Sequence, residues 1–469
     1  MSAGALRVPT RRELVDVARL AGPIVLVQLG LMSMGTVDTI MLGRVSPTAM
    51  AGGALGNWHW LLVTMIGQGA IQAIDPLVSQ ALGAGDTAAV RLGVQRGLLL
   101  GLLLGLPAMI LLWPAEWLTH QLGQPVEVAS LAGQYAITLI PGVLAHYWFF
   151  ALRQSLQALQ RVWPILATVL LANGVNAFLN WVFIFGHLGS PALGVRGAAL
   201  ATMIGRWISV VILLVIAWPQ LAPHLRAPWR EARRWTALWS MLRVGIPIGI
   251  HQWLEISAFG AALLLMGLFG TVPLAAHNLA IQVATLTYMV PLGTAAAAAV
   301  LVGHAIGRRD MDGARREASA ALACGVGFMA TCAALIMLFP GPLAAVFTSD
   351  PEVLALAAQL LPIAAAFQVF DGIQGVSSGI LRGAGDTRVP MLLNLFGFAA
   401  VGIPAAAWLA FGLGLGPVGV WWGLVLCLAV VAALLGWRVH TRLSLAVARL
   451  EPRVDPSGDA AEASVRQGS

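Results

Sequence analysis

The sequence predicts an all-α integral membrane protein of about twelve transmembrane helices, arranged as two six-helix bundles related by a parallel internal repeat. Three observations predict it. The chain is 59% hydrophobic and only 10% charged, whereas soluble domains carry about 25% charged residues. Its apolar residues gather into runs of about 20 or more, long enough to cross a ~30 Å hydrocarbon core as helices. The first half of those runs also matches the second half over long ungapped stretches.

The runs of the first half lie near 17–42, 52–80, 93–113, 128–150, 164–186 and 194–217. Those of the second half lie near 242–268, 275–303, 317–338, 352–377, 389–410 and 417–437. The connections are short, and none is large enough to fold as a soluble domain. No cleavable signal peptide is expected, because the first run is too long and lacks a small-residue cleavage site.

The repeat appears when the chain is slid along itself by 224 positions. Pro23 then meets Pro247, Gln28 meets Gln252, Gly43 meets Gly267, Gly83 meets Gly307, Asp86 meets Asp310 and Arg91 meets Arg315. Further on, Glu127 and Gln134 meet Glu352 and Gln359 at 225, and Pro164 and Gly186 meet Pro390 and Gly412 at 226. Halves of equal polarity with six spans each are related by an axis along the membrane normal. The predicted organisation is an N-terminal lobe over 1–217, a linker over 218–241 and a C-terminal lobe over 242–440. A tail over 441–469 follows. The linker "WPQLAPHLRAPWREARRWTALWSM" reads as an interfacial cytoplasmic helix, and 451–469 as a polar, disordered end.

Orientation follows from arginine. The chain has 27 basic residues and no lysine. Apart from Arg44, Arg196 and Arg206, every arginine lies near a terminus or in an even-numbered connection. The positive-inside rule places that face, and both termini, in the cytoplasm. The same bias accounts for the net charge of +7 without a nucleic-acid partner. The three cysteines, Cys324, Cys332 and Cys427, fall in spans and are expected to be buried thiols.

The absence of lysine also excludes chemistry: there is no "GxxxxGK[ST]" phosphate loop and no Schiff-base lysine. No "HExxH" is present either, and the one "GxSxG" match, "GVSSG" at 375–379, falls within a spanning run rather than on a strand-to-helix turn. The chain is therefore not expected to be an enzyme or to need a cofactor beyond a coupling ion.

Against this apolar background, "HQWLEISAFGAALLLM" (251–266) places Glu255 inside a spanning run. A carboxylate at the centre of a bilayer helix costs about 2.5–3.5 kcal/mol, so acids there mark functional sites. The acids are also asymmetric between the halves: Glu255 aligns with Leu31, Asp38 with Ala262, and Asp371 with His146.

Four stretches, "AGPIVLVQL", "VDTIMLGRVSPTAMAG", "LVSQALGAGD" and "LRGAGDTRVP", resemble the multidrug and toxic compound extrusion (MATE) family, specifically its NorM-like branch. The resemblance covers roughly residues 15–440. It implies two six-helix bundles facing a central cleft, and export of organic cations driven by inward Na⁺ or H⁺. Two positions depart from the family pattern. Phe367 stands where many members carry a tyrosine one turn before the acid of the tenth helix, and Asp75 stands where a small uncharged residue is usual.

In the N-terminal lobe, Asn176 and Asn180 are four apart and share a helix face. At about 1.5 Å per residue, Asp38, Asn180 and Thr202 sit at a common depth, with Asn176 a turn lower. This hard-oxygen set suits Na⁺, or a proton on Asp38, and the family's inner-lobe cation site falls on the same four positions. The structural alternative is that the amides and hydroxyl bond across a tight interface. In the C-terminal lobe the candidates are Glu255 and Asp371, both near mid-membrane. The alternative there is an acid bonded to a neighbour, such as Glu255 to His251 one turn earlier. Gln252 is a further candidate for the cleft wall, although its repeat partner Gln28 favours a structural role. Asn278 and Gln282, four apart, are also placed on the wall. Arg206 is a possible counterion without a named partner, Asp75 reads as interfacial, and Trp253 as a face for a flat cation.

The expected function is a monomeric secondary antiporter that exports amphipathic cations in exchange for Na⁺ or H⁺, with the bundles rocking about the cleft. The rival is a flippase or exporter of a lipid-linked or other amphipathic metabolite in the same superfamily. That rival calls for an arginine-rich cleft, whereas the in-span charges read mainly as acids. A major facilitator transporter would carry a signature loop after helix 2, which is absent.

Overall fold

A computed structural model describes residues 6–450, so the tail expected over 451–469 lies outside the described residues. Every regular element among these residues is helical. In the first half these are α1 (Arg11–Gly43), α2 (Pro47–Ile71), α3 (Ile74–Gly83), α4 (Thr87–Leu112), α5 (Ala115–Gln121), α6 (Val126–Leu139), α7 (Gly142–Ala158), α8 (Trp163–Phe185) and α9 (Val195–Ile216). The short α10 (Trp218–Leu225) leads to α11 (Trp235–Gly267), so the seventh span begins before residue 242. Then come α12 (Thr271–Gly307), α13 (Met311–Leu338), α14 (Pro340–Ala345), α15 (Pro351–Gly383), α16 (Arg388–Leu395), α17 (Ile403–Ala407) and α18 (Gly416–Ser444). Two π-helical turns, Phe396–Gly402 and Trp408–Gly412, flank α17 and complete the eleventh span.

Eleven of these segments are long and apolar enough to cross a membrane among the described residues, and α6 with α7, bent by 58°, makes a twelfth. The repeat is visible in the helix ends. α11 starts and stops 224 residues after α1 (11 to 235, 43 to 267), and α12 spans the same offset from the start of α2 to the end of α3 (47 to 271, 83 to 307). The shared aspartates cap the next helix in each half: Asp86 accepts the Ala89 amide at 2.9 Å and Asp310 the Gly313 amide at 2.7 Å.

Where the halves differ, proline gives the reason. Pro76 has no N–H to bond the Gln72 carbonyl, so the i to i−4 ladder is interrupted there. The chain therefore breaks into α2 and α3, whereas the repeat partner Val300 lets α12 run on. Pro141 separates α6 from α7 in the same way, while α15 continues through Ala366.

The two lobes meet tightly at the end where the arginine-rich connections lie. On α2, a Cβ at Gly69 would overlap Gly249 of α11, and on α3 a Cβ at Gly83 would overlap the His304 carbonyl of α12. Such small residues let helix backbones touch, which is how spans associate when lipid is as apolar as the core. Polar bonds close the same end: Gln80 Nε2 donates to the Gly383 carbonyl at 2.9 Å, and His304 Nε2 lies 3.0 Å from the Ala158 carbonyl. Both chain ends join in, through Arg316 to Glu13 at 2.9 Å and Arg449 to Asp86 at 2.7 Å. Cys427 is buried as expected, whereas Cys324 and Cys332 are only half-buried; all three are free.

Candidate functional site

Between the lobes lies one cavity of about 730 Å³. Asp38, Thr202 and Arg206 line it from the first half, and Gln252, Glu255 and Tyr288 from the second.

The four N-lobe residues converge. Asp38 of α1 is 8% exposed, and Asn176 and Asn180 of α8 are fully buried behind it. Asn180 Nδ2 donates to Asp38 Oδ1 at 2.5 Å and to Asn176 Oδ1 at 3.1 Å. Thr202 of α9 donates to Asp38 Oδ2 at 3.0 Å. Arg206, one turn further along α9, now has neighbours: its guanidinium carbon lies 3.8 Å above the Trp60 ring centroid, and it interacts electrostatically with Asp38.

The C-lobe acids also come together, and with partners that sequence reasoning missed. Glu255 of α11 and Asp371 of α15 stand close enough for the charge of one to bear on the other. Gln374 of α15 donates to Glu255 Oε1 at 3.4 Å and to Asn394 Oδ1 of α16 at 3.1 Å. Tyr288 of α12 stands close enough to feel both acids. Phe367, in the position that lacks a hydroxyl, packs on Phe259 and Trp421 with centroids at 6.0 and 5.7 Å. Signals for the missed residues existed: Gln374 follows Asp371 by three, on the same helix face, and Asn394 is an amide inside an apolar run. Asp371 sits behind the wall, 5% exposed, with Oδ1 unpartnered.

Other expectations are corrected. Glu255 bonds Gln374 across helices, so the expected alternative with His251 is not the contact that forms. Asn278 and Gln282 are exposed on α12 and do not line the cavity; Thr285, Tyr288, Met289 and Leu292, further along the same helix, do. Trp253 is 37% exposed and off the wall, and Trp60 is the tryptophan that lines the cavity. Asp75, read as interfacial, is fully buried: Gln154 donates to both its oxygens at 3.2 and 3.1 Å, and Arg382 of α15 lies 3.5 Å away. The break at Pro76 turns it inward, toward the partner lobe. The wall also carries Arg153, Arg206 and Arg382, so its charges are mixed rather than mainly acidic.

The MatE family profile matches residues 23–182 and 247–408, one match in each repeat. A probable multidrug resistance protein NorM of Rhizobium meliloti is 39% identical over 431 residues, covering 89% of this chain and 91% of that protein. A multidrug resistance protein NorM of Burkholderia vietnamiensis is 37% identical over 449 residues, covering 93% and 96%. Among solved structures, a eukaryotic MATE transporter superposes with TM-score 0.83 at 23% identity, covering 93% of this chain and 98% of that one. An outward-facing MATE family multidrug transporter gives 0.81 at 23%, covering 94% and 97%. With both repeats matched and such relatives aligned along almost its whole length, the chain belongs to the MATE family, as a multi-pass membrane transporter and not an enzyme.

Proposed function

We propose that this protein is a secondary active efflux antiporter of the bacterial inner membrane, with both termini cytoplasmic, exporting cationic or amphipathic organic compounds in exchange for inward H⁺ or Na⁺. The observation that carries the reading is the placement of Asp38 and Glu255, one acid from each lobe, on the wall of a single cavity that also presents Trp60, Phe149 and Phe259. Aromatic faces and carboxylates suit flat cations. The multidrug names of its relatives support the same class of cargo. Ion and cargo need not touch one residue; they couple by favouring opposite-facing states. A cavity lined by one chain supports the monomer as the working unit.

Efflux of a fluorescent organic cation from everted vesicles, under separately imposed Na⁺ and H⁺ gradients, tests this. Export driven by either gradient is expected, and none under both would refute it. The arginines of the wall favour a second reading, in which a lipid-linked or other amphipathic metabolite with an anionic group is moved. Competition in the same vesicles between cationic and anionic amphiphiles separates the two.

A further inference from the structure

The N-lobe site is built to face a cation that the chain itself supplies. Both oxygens of Asp38 are met by donors, Asn180 Nδ2 on Oδ1 and Thr202 Oγ1 on Oδ2. The Oδ1 acceptor of Asn176 is taken by the second proton of the same Asn180 amide, which leaves Asn180 Oδ1 buried without a partner and Asn176 Nδ2 likewise. The titratable and charged groups that bear on the carboxylate are Tyr135 of α6 and Arg206 of α9; His146 of α7 faces Arg206 in turn, and α2 contributes the neutral Trp60. Arg206 is held in place by the Trp60 ring, and its Nη1 is buried without a hydrogen-bond partner.

A Na⁺ ion needs the reverse arrangement, with several oxygen lone pairs converging on one point. Turning over the amides of Asn176 and Asn180 would bring their oxygens inward. It would also set the ion beside a guanidinium that is always charged and stacked in position. The residues present therefore do not fit Na⁺. The geometry points to Arg206 as the resident counter-cation of Asp38, a specificity-determining residue that bars Na⁺ from the N-lobe. The inference rests on the proposed coupling role of Asp38 and deepens it: any Na⁺ used by this transporter binds in the C-lobe. There the charge that bears on Asp371 is that of Glu255, not that of an arginine. The repeat partner of Arg206 is Ala432, so the C-lobe has no equivalent cation at that position.

Binding of radioactive Na⁺ to the purified full-length protein in detergent tests this without requiring transport. Asp38→Asn is expected to leave the Na⁺ binding of the wild-type protein unchanged. Arg206→Gln is expected to raise Na⁺ affinity on the order of tenfold, and adding Asp38→Asn should remove that gain. Arg206→Lys, which keeps the charge, should show no gain. Loss of wild-type Na⁺ binding in Asp38→Asn would overturn the inference, and so would a folded Arg206→Gln protein with no gain. The first comparison needs no Arg206 variant, so it stands even if Arg206→Gln does not fold. Absence of export in vesicles would sink the proposed function while leaving these binding results to decide the role of Arg206.

Discussion

Asp75 of α3 and Arg382 of α15 pair across the two lobes, Nε to Oδ2 at 3.5 Å, at the arginine-rich end of the cavity. Arg382 also donates to Gln72 Oε1 at 2.8 Å, so one side chain of the second lobe engages both sides of the α2–α3 break. Opening the lobes at this end must separate these groups, leaving a buried carboxylate in one lobe and a guanidinium in the other.

Removing one partner of a buried pair costs about 3–5 kcal/mol when the other charge stays buried. Asp75→Ala is therefore expected to weaken closure at this end. Spin labels at Thr87→Cys and Arg388→Cys, both exposed, in a background lacking native cysteines, should report longer distances in the Asp75→Ala protein. An unchanged distance distribution would show that the pair does not hold the lobes together.

Asp38→Asn should abolish coupled export with expression intact, since shape is kept and charge is lost. Asn176→Ala and Asn180→Ala should impair it less, and Asn180→Ala more than Asn176→Ala, because only Asn180 bonds the carboxylate directly. Wild-type export by the Asp38→Asn protein, with the same ion dependence, would remove the N-lobe acid from the coupling scheme.

Glu255→Gln should be at least as stable as the wild-type protein, because the cost of holding a charge in the span disappears, yet it should fail to pump against a gradient. Gln374→Ala deletes the cross-helix donor to Glu255 and to Asn394, with an expected loss of about 1 kcal/mol. Thermal unfolding in detergent beside transport per folded molecule tests both. A Glu255→Gln protein that unfolds at a markedly lower temperature but pumps normally would make Glu255 a packing residue.

Orientation is open to a direct test. A cysteine at Arg309, exposed between α12 and α13, in a background lacking native cysteines, should resist an impermeant thiol reagent in intact cells. Ready labelling would reverse the topology.

Asp86 supplies a pH test outside the spans. The Ala89 amide and the Arg449 guanidinium hold its carboxyl below the usual carboxylate range. Its stabilisation is therefore present above the unfolded value of about 3.9 and lost as pH falls through the lower folded value. Asp86→Ala should cost about 1 kcal/mol at neutral pH, through the lost cap. That gap should narrow as pH falls below the unfolded value, and a gap independent of pH would show that charge has no part in it.

The repeat and the spans were legible because they are written in composition and periodicity. Hydrophobic runs must match the bilayer, and equal halves keep equal landmarks, such as the capping aspartates Asp86 and Asp310. The N-lobe cluster was legible as well, since helix rise alone puts Asp38, Asn180 and Thr202 at one depth. What the sequence could not decide was which helix faces meet. Asp75 read as interfacial because its depth was clear and its direction was not. The Pro76 break and the arrival of Arg382 from some three hundred positions away gave it a buried partner. Arg206, likewise, was a lone charge until tertiary structure set it over Trp60 and toward Asp38. Depth along a span is local and follows from the sequence, whereas rotation and partner choice are fixed by close packing between helices distant in the chain.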